Sequence, residues 1–289
     1  MKMGEKVINR RITWNVVNVK ARREQTPEHY VQAFRKIERE DPLIDGVRGK
    51  NLSVKNISES EILDANGQPS WIVLTILSYT IIDPDAFYNI RRHEDISMDW
   101  DSDVVANKKE AEIYFIPSVH HFAVRKNSDI SLVSIIDYLR KALEVVEPHG
   151  FDVDAVVERD ILERILSAKK IISVEADISF SNHANTSGFS EVFERKTMDM
   201  NADKLKIIAT GTKESPLFRG NDGLVDAIIN MSEHNGQIKA VIMENDSSPI
   251  EFIDTNSHPF ILMTEQVYGD FANTISIELR TLYGKKDEK

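Results

Sequence analysis

The chain contains no cysteine. That single absence removes disulfides, cysteine nucleophiles, thiolate zinc sites and iron–sulfur clusters from consideration. A second absence lies at the N-terminus: residues 1–11 are polar and basic, with no apolar segment behind them, so no secretory signal is expected. Long apolar runs are missing too. The longest, from Trp71 to Ile82, is broken by Thr75, Ser78, Tyr79 and Thr80, and falls far short of the roughly 20 residues that cross a bilayer. These features predict a cytoplasmic protein without membrane insertion. The common catalytic signatures are likewise absent. There is no glycine-rich dinucleotide fingerprint, no P-loop, no nucleophile elbow and no paired-histidine zinc helix.

What remains is an ordinary globular composition. Of 289 residues, 41% are hydrophobic and 29% charged, enough apolar material for a real core and too little polar tract for disorder. The net charge of −11 argues against broad affinity for nucleic acid, but the charge is unevenly spread. Residues 1–50 hold 12 Lys/Arg against 7 Asp/Glu, a surplus of five, so the other 239 residues carry −16. Such asymmetry points towards a polyanionic partner.

Hydropathy periodicity outlines the elements. Ile12, Trp14 and Val16 alternate with polar residues and predict a strand within 6–23. Thr26, Pro27 and Glu28 form a helix start, and Tyr30, Phe34 and Ile37 share its apolar face until Asp41-Pro42 stops it. Residues 47–82 read as a hairpin turning at Asn66-Gly67, a pair suited to a type I′ turn, with a central second strand. The polar, acidic stretch 83–109 reads as a linker. Beyond it, strands and helices alternate: a hairpin across Pro117-Ser118, a helix over 130–146, and strands and helices in turn to a closing helix near 269–283. The fold class expected is α+β or α/β. An N-terminal β-rich domain with one helix (1–108) precedes a C-terminal domain with a mixed sheet and alternating helices (109–289).

Four constellations could carry chemistry. Asp99, Asp101 and Asp103, with Glu110 in twelfth place, imitate a calcium loop, but Val104 occupies the position where the sharp turn needs glycine; an acidic solvated loop is the better reading. Glu194 and Lys196, with Asp177 on a preceding strand, have the residue types of a Mg²⁺ nuclease, yet the pair lies in a segment that reads as helix. His120 and His121 are strand neighbours, so their side chains should face opposite sides and cannot chelate one ion. His183 sits alone in a loop. No catalytic residue, metal site or cofactor follows from any of these. The fourth is Arg10, Arg11, Lys20, Arg22 and Arg23, which flank the first strand and could supply sequence-independent phosphate contacts; Trp14 between them alternates with polar residues as a core side chain does.

One resemblance adds to this. The segment Glu112 to Lys126 (EIYFIPSVHHFAVRK), the following helix, Phe151 to Asp154, the strand Ile171–Phe180, His234 to Gly236 and Thr255 to Pro259 resemble, in pattern and order over roughly 110–262, a bacterial phage-defence-associated family organised like the RexA-type phage-exclusion proteins. The resemblance implies a two-domain homodimer that binds or senses nucleic acid, DNA foremost, and signals to an effector protein partner without being an enzyme. The alternative from a different class is a metal-dependent nuclease or another effector enzyme of a defence system.

Overall fold

The computed structural model describes residues 11–22, 24–45, 50–99, 101, 103–179, 204–219, 223–265 and 270–284. Its elements in chain order begin with β1 (Arg11–Ala21), α1 (Pro27–Glu40), β2 (Ile44–Asp45), β3 (Asn51–Glu59), β4 (Ile72–Ile81), β5 (Phe87–Asn89), β6 (Glu94–Ile96), β7 (Val105–Ile116) and β8 (His121–Arg125). Then follow α2 (Leu132–Val146), β9 (Phe151–Ala155), α3 (Arg159–Ser167), β10 (Lys170–Ser179), β11 (Lys204–Thr210), α4 (Leu224–Asn235), β12 (Gly236–Met243), β13 (Glu251–Asp254), β14 (Ile261–Glu265) and α5 (Phe271–Tyr283). Every strand pairing among the described residues is antiparallel, which makes the class α+β.

The main sheet runs β14-β1-β8-β7-β4-β3-β2, with β9 also paired to β1. Alternation along β1 sends Val17, Val19 and Ala21 to one face, where α1 and α2 pack, and Trp14 and Val16 to the other, beneath α5. Three layers result. Helix α1 begins as its sequence indicates: Thr26 accepts the His29 N–H, and Asp41 ends it in a left-handed turn at φ 40°.

One edge of β1 pairs with β8. Along the other edge, Arg11–Asn15 pair with β14 and Val17–Ala21 with β9. Strands β9 and β14 are thus one interrupted strand, and the chain between them forms a second unit inserted at that break. Its two ends meet: the Glu158 N–H donates to the His258 carbonyl at 3.0 Å and the Phe260 N–H to the Val156 carbonyl at 2.7 Å. The inserted sheet has the order β11-β10-β12-β13, and α3 and α4 close a separate core on one face, around Ile165, Val174, Ile229 and Ile242.

Several sequence expectations need revision. Residue 108, expected near a domain boundary, lies inside β7, a strand paired with β4 over most of its length. The first half of β7 is solvent-exposed, so it lacks the apolar alternation that would have marked it. The stretch 83–109 also holds the β5–β6 hairpin. At Asn66-Gly67 only Gly67 has positive φ (74°), so no type I′ turn forms. Asp64 instead organises a longer loop by accepting the N–H groups of Asn66 and Gln68. Strand β14 has no counterpart in the sequence reading, and the helix expected over 188–198 lies outside the described residues.

Phe34 of α1 is buried, its ring 4.5 Å from that of Phe115. Urea unfolding of Phe34→Ala should show a loss of about 3–5 kcal/mol. Val133→Ala, on the solvent side of α2 at 73% exposure, should change stability by less than about 0.5 kcal/mol.

Candidate functional site

The interrupted edge of β1 concentrates charge. Register places Asn18 opposite Asp154 and Lys20 opposite Asp152. Arg22 grips Asp152 through two bonds of 3.1 Å, from Nε and Nη2. From α2, Arg140 donates through Nε to the Val153 carbonyl and through Nη2 to Asp154 Oδ1, both at 2.7 Å. Three cations therefore surround two aspartates on one edge strand. Lys20 is the innermost, 1% exposed. Burial pushes its ammonium down to about 8, against the pull of Asp154 and Asp152, which favour the charged form. A lysine so placed persists only because those carboxylates offset much of its desolvation.

The sequence-derived basic set is thus divided. Lys20 and Arg22 are turned into the fold and neutralised at one end of β1. Arg11 is exposed at the other end, about 36 Å away along an extended strand. Arg10 and Arg23 lie outside the described residues. Trp14 is fully buried and donates its Nε1–H to Thr264 Oγ1 at 2.8 Å, so it presents no face to a base.

Near Arg11 the fold supplies two cations the sequence reading did not single out. Strand β8 runs antiparallel to β1, and the Lys126 N–H donates to the Thr13 carbonyl at 3.0 Å, which brings Arg125 and Lys126 beside the start of β1. All three are exposed. The Arg125 guanidinium is held over the rings of Phe271 (4.7 Å) and Trp14 (5.6 Å). Arg125 and Lys126 make no ion pair with a described side chain, and Glu265 of β14 stands opposite Arg11 in the strand register. Only the pairing of β8 with β1 could have revealed this, since the residues are more than a hundred positions apart.

The other constellations separate. Glu110 lies on β7 between Lys55 (2.8 Å) and Lys108 (2.9 Å); these bonds hold its carboxyl down at about 2 and leave no calcium loop. His120 and His121 do face opposite layers. His120 Nδ1 meets the Tyr30 hydroxyl at 2.9 Å on the α1 side, whereas the His121 ring stacks on Tyr283 of α5 at 3.9 Å. Asp177 sits on the exposed face of β10, and Glu194, Lys196 and His183 lie outside the described residues. Among the described residues no group of three or more His, Asp or Glu could hold a metal ion. Nor is any described helix long and apolar enough to cross a membrane.

Lys20 makes stability depend on alkaline pH. Its folded pKa lies below the free value, so folding disfavours the ammonium: the lysine's contribution to stability should fall as pH drops from about 10.5 to about 8, by about 3 kcal/mol, and then level off. Burial raises Tyr30, Tyr114, Tyr138 and Tyr283, which titrate in wild type and variant alike, so urea titrations should show this slope in the difference between wild type and Lys20→Met; parallel curves would refute it.

No curated protein matches the chain. The family comparison does give a result: residues 10–276 match the family described as a domain of unknown function (DUF4747), and the chain belongs to that family.

Proposed function

We propose that the protein is a nucleic-acid-binding or sensing component of a bacterial anti-phage defence system, acting in the cytoplasm and contacting phosphate through Arg11, Arg125 and Lys126. The observation that carries the binding part is the contrast between the two ends of β1. At one end, Arg22 and Arg140 are paired with Asp152 and Asp154, and Lys20 is buried beside the same two carboxylates. At the other, Arg11, Arg125 and Lys126 are exposed and stand together, with Glu265 as the cross-strand neighbour of Arg11. Phosphate oxygens are the ligands such a group attracts, through release of condensed counterions. The chain as a whole is acidic, net −11, which disfavours polyanion contact away from a local basic group. DNA is the ligand class we favour. The defence role, the homodimer and the effector protein partner rest on the resemblance over residues 110–262.

Fluorescence anisotropy with duplex DNA, single-stranded DNA and RNA at several salt concentrations tests the reading. Wild type should bind with a steep salt dependence. In Arg11→Ala/Lys126→Ala the slope of log affinity against log salt should flatten by about 2, whereas Arg22→Gln should leave it unchanged. Absence of binding at low salt, or equal flattening in both variants, would sink the proposal.

A further inference from the structure

Beside the β9 aspartates lies an open groove of about 930 Å³, a volume at the upper end of what seats a small ligand. One wall is the polar stripe of α2, with Asp137, Lys141 and Glu144 at i, i+4 and i+7. The opposite wall is the segment Leu43–Asp45, which carries β2, the last strand in the order of the main sheet. Leu43 and Val145 line the groove at 57% and 55% exposure, together with the buried Phe151.

The charges of this groove are not balanced. Lys141 Nζ is engaged twice, by Asp137 Oδ2 at 2.9 Å and the Asp45 carbonyl at 3.2 Å. Arg22 is held by Asp152 and Arg140 by Asp154. The Asp45 carboxylate has no ion-pair partner among the described residues. Among the described residues Glu144 meets only the backbone N–H and ring of His149, at 3.0 and 3.4 Å, the latter an ion pair only when that histidine is protonated. Among the described residues Asp45 thus has no ion-pair partner and Glu144 has His149 alone, next to two exposed aliphatic side chains. A cation set beside aliphatic groups meets complementary charge and apolar surface together here.

We infer that this groove docks an extended peptide segment of a protein partner, one that carries lysine or arginine next to aliphatic residues. It stands apart from the phosphate-binding proposal, since the groove lies at the opposite end of β1 from Arg11. The peptide's cations would lie against Asp45 and Glu144, and its aliphatic side chains against Leu43 and Val145.

The test uses the full chain and two fluorescein-labelled hexapeptides, one alternating lysine with leucine and one alternating glutamate with leucine. Wild type should bind only the basic peptide. Asp45→Lys/Glu144→Lys should weaken that binding about tenfold or more, and Leu43→Ala/Val145→Ala several-fold with the charges intact. A control with the same change in net charge, Glu61→Lys/Asp85→Lys, alters exposed positions outside the groove and should stay within about twofold of wild type. Thermal unfolding of each variant checks that it is folded. Equal weakening in the groove variant and the control would overturn the proposal. So would equal binding of the acidic peptide, or no binding of the basic one by wild type at about 1 mM.

Discussion

Strand β1 is hydrogen-bonded along both edges, to β8 on one side and to β14 and then β9 on the other. Its two faces supply both layers of the main core, Val17, Val19 and Ala21 beneath α1 and α2, Trp14 and Val16 beneath α5. A strand buried in this way must satisfy every main-chain group within the sheet. The break between β14 and β9 is therefore the one place along that edge where the chain can leave and return. It leaves at residues 156–158 and returns at 258–260, and the bonds between those two short segments keep the ladder continuous across the insertion. The inserted sheet can then close its own core behind α3 and α4 without disturbing β1.

The same edge dictates the electrostatics. Strand β9 sends Phe151 and Val153 into the core, and the period of two puts Asp152 and Asp154 on the other side. There they meet Lys20 of β1, Arg22 just beyond it and Arg140 from α2. Buried ion pairs add little net stability when desolvation is counted. Their consequence here is specificity: a shift of β9 by one residue would bury both aspartates beneath α2 and leave Lys20 without its counter-charges. The cations at this end are committed to the fold, while those at the other end of β1 remain open to solvent.

Much of the local structure was legible in the residues. The strand around Trp14, the helix between Thr26 and Asp41 and the closing helix all follow from periodicity and capping that a short window contains. Among the elements that were not, two are instructive. The first half of β7 is exposed and charged where it pairs with β4, so its sequence resembles a linker. Strand β14 is five residues long and acquires its identity from β1, some 250 positions away in the chain. A domain boundary read from composition near residue 108 has the same weakness, because composition reports exposure and not pairing.

The sequence by itself determined most of the element types, their apolar faces, the absence of thiol chemistry and the surplus of positive charge in the first 50 residues. Those properties depend on residue type and short spacing, which survive without any knowledge of the fold. Only the tertiary structure decided which of those cations could meet a ligand. Lys20 and Arg22 face aspartates more than a hundred residues away, whereas Arg11 is joined by Arg125 and Lys126 from β8. Net interaction between charges depends on distance and burial, and both are set by strand pairing across the whole chain.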